Sequence, residues 1–171
     1  MPALRHCDPY PIHDTTVKGR VHVSDSFLEQ LRVPVQRAQV DLHTERGHRI
    51  AVIFLPPDCA PEDVFEAEPP FFPAEEGGIV RIFARAAVVS LVLDAGDAPP
   101  ESLVSAGVVY ATRPIAVYLR NGKVVTGVLT SLPGFSRTLD LLNQPPKSFA
   151  VRSGGKIHHI AKAHVERIEE L

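Results

Sequence analysis

Tryptophan is absent from the chain, methionine occurs once and cysteine twice among 171 residues. Two cysteines, Cys7 and Cys59, give neither the paired spacing of a zinc site nor the density of a disulfide scaffold. So few thiols fit a reducing cytoplasm, and a cytoplasmic location is expected. Long apolar runs are missing as well. The longest, ARAAVVSLVL (84–93), is interrupted by Arg85 and falls far short of a membrane span of about 20 residues. The first residues, MPALRHCDPYPIHD, hold no apolar stretch of signal-peptide length. No membrane partner is expected. Nor is there an excess of basic charge, since the formal net charge is −2. A protein built chiefly to grip nucleic acid usually carries one.

What the chain does contain is a repeat. GGIVRIFARAAVVSL (77–91) and GGKIHHIAKAHVERI (154–168) share Gly77/Gly154, Gly78/Gly155, Ala84/Ala161, Ala86/Ala163 and Val88/Val165 at one constant offset. Arg85 stands where Lys162 does, Phe83 where Ile160 does, and Leu91 where Ile168 does. The match extends upstream. Val40 and Leu42 align with Val117 and Leu119, and Gly47 with Gly122 after two extra residues in the first copy's turn. Pro69-Pro70 align with Pro145-Pro146, and Ala74 with Ala150. Indels confined to loops are the mark of a duplicated structural unit. The chain therefore divides into an arm over 1–24, which holds a possible extra strand (15–23), a first module over 25–96 and a second over 97–171. The segment DAGDAPPES (94–102) is the linker.

Local signals give each module five strands. In the second, PIAVYLRNGKVVTGVLTSL (114–132) is two β-branched runs around Asn121-Gly122, which predicts a hairpin with a type I′ turn. Strands follow at 147–153, 156–163 and 165–171, and Gly127 suits a sharp strand bend. Ser136 is placed to cap a short helix carrying Leu139, Leu141 and Leu142, which Pro145-Pro146 end. The first copy has a proline-initiated turn at 60–70 in the same place. Short helices are also expected before each first strand, at 24–31 and 99–107. The expected fold is all-β: two tandem five-stranded small barrels of Sm-like or SH3-like type, with short helices before strand one and between strands two and three.

This pattern resembles the Sm-like family of small β-barrels, which includes bacterial Hfq. The residues that carry the resemblance are VYLRNGKVVTGVLTSL as strands one and two, and KIHHIAKAHVERIEE as strands four and five with a tight turn at 161–164. The resemblance implies strongly bent strands, assembly through strands four and five, and RNA as a partner. The Asp-x-Φ-Asn base-binding motif of eukaryotic Sm proteins is absent, and a helix-like insertion replaces a tight loop between strands two and three.

Candidate sites follow from charge and apolarity. Residues 1–112 carry 9 basic and 16 acidic side chains, a net −7, whereas residues 113–171 carry 9 and 4, a net +5. The basic set Arg113, Arg120, Lys123, Arg137, Lys147, Arg152, Lys156 and Lys162, with His158, would hold phosphates if it converges. Stacking aromatics, which single-strand binding usually adds, are few there. The apolar loop residues Phe65, Phe71, Phe72, Leu139, Leu141 and Leu142 either form a protein interface or plug their own barrels. His158 and His159 are adjacent in a strand and point to opposite faces, so they do not share a metal. His6, Cys7, Asp8 and His13 lie on a proline-broken arm without fixed spacing. No nucleophile elbow or phosphate loop is present. The expectation is a non-catalytic adaptor or assembly module without metal or cofactor, acting through protein–protein contacts and self-association as a homo-oligomer. Opposite charge on the two modules favours head-to-tail contact, which closes a ring or extends a filament. The alternative is an RNA-binding protein that uses the basic second module.

Overall fold

The computed structural model describes residues 35–95, 111–131 and 137–171. The expected strand at 15–23, the helices at 24–31 and 99–107, Ser136 and most of the linker lie outside the described residues. The first half contains β1 (Gln36–Thr44), β2 (Gly47–Leu55), β3 (Phe71–Glu76), β4 (Ile79–Ala84) and β5 (Val88–Asp94). The second contains β6 (Ala111–Leu119), β7 (Val124–Ser131), β8 (Ser148–Ser153), β9 (Lys156–Ala161) and β10 (Val165–Glu170), with one short helix, α1 (Thr138–Leu142). A 3-10 turn at Pro61–Phe65 takes the place of α1 in the first half.

The ten strands form one antiparallel sheet in the order β10-β6-β7-β8-β9-β5-β1-β2-β3-β4. Each half thus has its own fifth, first, second, third and fourth strands side by side. Among the described residues the sheet is not closed: β4 and β10 are its edges. Two separate closed sheets were expected. Instead β5 of the first half pairs with β9 of the second, from Ser90↔Ile160 to Asp94↔Lys156, and makes the two halves continuous.

Register within the halves repeats residue for residue. Phe71↔Ala84 has its counterpart in Ser148↔Ala161, and Val52↔Glu75 in Val128↔Arg152. Asp41↔Val92 corresponds to Ala116↔Glu169. These pairings correct the sequence alignment at several places. Leu42 is equivalent to Val117 rather than Leu119, and the second copy's first turn is longer by one residue, not shorter by two. The alignment slipped by two because strand side chains alternate with a period of two, so a two-residue slip keeps every inward residue inward. Ala74 is likewise equivalent to Val151, not Ala150. Ala74 and Val151 are fully buried whereas Ala150 is exposed.

Turn chemistry explains the hairpins. Gly77 and Gly78 have φ of 59° and 80°, and Gly154 and Gly155 have 56° and 76°. Both pairs make the two-residue turn that needs positive φ at both positions. The Asn121-Gly122 turn differs from its expectation. Gly122 has a φ of 80°, but Leu119 N–H closes on Lys123 O at 2.9 Å, which leaves a three-residue loop. The Asn121 carboxamide oxygen accepts from Lys123 N–H at 3.1 Å, and this local bond competes with the tighter turn.

Two apolar clusters lie along the sheet. Leu42, Ile53, Phe65, Phe72, Ala74 and Leu91 belong to the first. Ile115, Val117, Leu129, Phe149, Val151 and Ile160 belong to the second. Phe72 and Phe149 are equivalent, as are Ile53 and Leu129. Among the described residues no helix is long and apolar enough to cross a membrane.

Candidate interaction surfaces

The open edge at β4 is the most unusual surface. Ile79, Val80 and Ile82 are 58%, 58% and 67% exposed, and Phe71 on the neighbouring strand is 56% exposed. Their backbone orientation follows from the hairpin. In a two-residue turn the closing pair, Glu76↔Ile79, is hydrogen-bonded, and alternate residues after it face the partner strand. Arg81 and Phe83 therefore turn N–H and C=O toward β3, while Val80 and Ile82 turn theirs to the open side. Pro73, which has no N–H, lies opposite Ile82, as this pattern requires. An exposed apolar edge strand is a template for another strand.

The other edge, β10, is charged. Glu166 and Arg167 precede Ile168, and Glu169 and Glu170 follow it. Arg167 stacks 3.7 Å above the Tyr118 ring and pairs with Glu169 at 3.1 Å. Tyr118 donates to Glu169 at 2.9 Å, and this bond, then Arg167, holds the Glu169 carboxyl below its ordinary range. Leu171 N–H donates to Pro114 O at 3.0 Å. By alternation Ile168 and Glu170 point their backbone groups away from β6, to the open side.

The seam between the halves is held by more than its ladder. Lys156 Nζ reaches Asp41 at 3.2 Å, and Ala95 N–H donates to Gly155 O at 2.8 Å. Lys147 N–H donates to the Glu66 carboxylate. His164 Nε2 lies 2.9 Å from Ala86 O, and its Nδ1 3.6 Å from Glu45. His159 faces Glu62 at 3.8 Å. Burial pushes the His159 pKa down, with Glu62 opposing. On the opposite face, burial and then Lys156 lower His158, while burial and then Lys123 lower His43. His43 lies 5.5 Å from the His48 ring.

Members of the basic set make different contacts. Lys162 Nζ donates to the carbonyls of Leu141 and Gln144, which ties the α1 connection to the sheet. Arg85, its counterpart, donates to Pro69 O and Val64 O and ties down the first half's connection in the same way. Arg113 approaches Glu170 at 3.7 Å and Thr138 at 3.4 Å, and Lys156 is committed to Asp41. Lys123 borders His43. Arg137 holds the N-cap position of α1. Arg120, Arg137, Lys147 and Arg152 have no ion pair among the described residues. His158 Nδ1 is buried without a hydrogen bond among the described residues.

The six apolar candidates divide as well. Phe65 and Phe72 are core residues of the first cluster, and Leu141 and Leu142 pack on the second. Only Phe71 and Leu139, 61% exposed, remain at the surface. Sequence reading did not single out the β4 residues IVRIFA. Their exposure comes from sheet order alone. Among the described residues no three His, Cys, Asp or Glu side chains are grouped to hold a metal ion. Comparison with protein-family models, curated proteins and solved structures gave no match to this chain.

Proposed function

We propose that the chain is a non-catalytic cytoplasmic adaptor that works by protein–protein contact and self-association. In this reading residues 25–96 and 97–171 are tandem modules of Sm-like or SH3-like type behind an arm over 1–24. The repeated strand order and register support the duplication. The observation that carries the function is the β4 edge, where unpaired backbone groups and the exposed side chains of Ile79, Val80 and Ile82 meet. Strand addition to such an edge gains main-chain hydrogen bonds and buries apolar side chains at once.

The test is capture from native extract with the wild-type chain and with Val80→Lys/Ile82→Lys as baits. The reading predicts protein partners, including further copies of the chain, that the wild type retains and the edge variant loses. Equal recovery by both baits contradicts it. Recovery of RNA that falls steeply with salt and disappears on Arg120→Ala/Arg152→Ala supports the RNA-binding alternative instead.

A further inference from the structure

We infer that an apolar groove beside Cys59 is covered by the chain's own N-terminal arm, pinned there by a Cys7–Cys59 disulfide. The inference goes beyond the β4 edge and does not depend on it. Cys59 is disulfide-bonded, and Cys7 is the only other cysteine in the sequence. The groove is a cavity of about 280 Å³ in the first half, lined among others by Val35, Phe54, Cys59, Val64, Phe71 and Phe72. Val35 is the first described residue, so residues 1–34 join the fold at the groove's own rim. The sequence around Cys7 suits an apolar groove, since Leu4, Pro9, Tyr10, Pro11 and Ile12 all lie within five positions of it.

The repeat shows why the first groove needs a cover of its own. Its counterpart in the second half is a cavity of about 610 Å³. By strand register Thr130, Ser148 and Phe149 stand there for Phe54, Phe71 and Phe72, and Lys162 stands for Arg85. The first half lends Glu62 and Leu93 to the walls of that second groove, and Ser148 is buried. Among the described residues the first groove receives nothing from the second half, and Phe71 is 56% exposed. It also carries two phenylalanines where the second groove has a threonine and a serine. Apolar surface of this kind marks a contact, and the disulfide identifies the segment that makes it.

The bond forms by thiol–disulfide exchange with a small-molecule disulfide such as oxidised glutathione. One cysteine thiolate displaces a glutathione thiolate and gives a mixed disulfide. The second cysteine displaces the other, and the protons lost by the two cysteines end on two glutathione thiols. A reducing cytoplasm runs the exchange backwards and frees the arm.

The experiment equilibrates the purified full chain with oxidised or with reduced glutathione. It reads intact mass, disulfide-linked peptides, and the rate at which trypsin cuts after Arg5. Oxidised wild type is expected at monomer mass, lighter than the reduced chain by two hydrogens, with one peptide linking Cys7 to Cys59. Cleavage after Arg5 is expected to be about tenfold slower than in the reduced chain or in Cys7→Ser. Phe71→Ser, which installs the second half's residue at that place, is expected to keep the link and lose most of the protection. Circular dichroism of each variant confirms the fold. Glutathione left on both cysteines, a Cys59–Cys59 dimer or free thiols in the oxidised sample each overturn the inference. So does a linked arm that trypsin cuts as fast as the reduced one, or protection that Phe71→Ser leaves unchanged.

Discussion

Replacing Gly127 by alanine tests the sharpest packing constraint in the second half. A Cβ at this position would lie 2.2 Å from Arg152 O, 2.8 Å from Val151 Cγ1 and 3.0 Å from the Arg152 carbonyl carbon. Two of those neighbours are backbone atoms, so no side-chain rotation relieves the clash. β8 would have to move by about 1 Å to restore ordinary van der Waals contact. Only Val128↔Arg152 and Leu129↔Val151 join β7 to β8, so the shift strains both pairs and exposes Leu129 and Val151. Overpacking of this kind costs about 1–3 kcal/mol or more. The lower chain entropy of alanine in the unfolded state offsets less than about 1 kcal/mol. The net loss is about 2 kcal/mol, which lowers Tm by roughly 4–8 °C in a chain of this size. Gly155→Ala is the control. It has nothing within 4 Å but a φ of +76°, so it pays only for backbone conformation, about 1 kcal/mol. Urea unfolding followed by circular dichroism measures both. A Gly127→Ala variant as stable as wild type would refute the close approach of β7 and β8.

Other substitutions separate core, edge and seam. Ile160→Ala, at a fully buried position, is expected to lose about 2–5 kcal/mol of stability, whereas Ile82→Ala at the edge is expected to stay within about 0.5 kcal/mol and to weaken self-association; thermal melts and sedimentation read the two effects apart. Lys162→Met removes the donor to the Leu141 and Gln144 carbonyls and is expected to destabilise by about 1 kcal/mol in urea titration, without changing retention on RNA. His43, His158 and His159 all have folded pKa values lowered chiefly by burial. The unfolded chain therefore binds protons first, and stability is expected to fall as pH drops through about 6.5, by up to about 1.4 kcal/mol per pH unit for each histidine. Denaturation midpoints measured between pH 8 and pH 5 check the sign, and a midpoint that rises toward acid contradicts it.

Much of the local structure was legible in the sequence, because it is written in short-range chemistry. The Gly77-Gly78 and Gly154-Gly155 turns, the β-branched runs and the basic residue shared by Arg85 and Lys162 sit at equivalent places in the two halves. The role of that basic residue was not legible. Lys162 reads as a surface phosphate contact, yet it satisfies carbonyls of the α1 connection, and only three-dimensional proximity reveals them. Register was misread where alternation could not distinguish a two-residue slip, at Leu42 and Val117. The joining of β5 to β9 was missed because it depends on which strand ends lie free after both halves have formed. Sequence adjacency does not encode that. For the same reason nothing in the sequence singled out Ile79, Val80 and Ile82, which an edge position leaves in solvent. Phe65 and Phe72, read as interface candidates, are core.

The central claim is that two repeated halves are joined into one sheet by β5 against β9, and that β4 is left as an open edge among the described residues. Residue-resolved amide exchange by NMR addresses it directly, because Val80 and Ile82 are the open-edge counterparts of Ile157 and His159 at the seam. The Ile157 and His159 amides, which face β5, should be protected at every protein concentration. The Val80 and Ile82 amides should exchange freely in dilute solution and become protected as self-association rises with concentration. Val80 and Ile82 amides that exchange freely at all concentrations, or Ile157 and His159 amides that are never protected, would contradict the account.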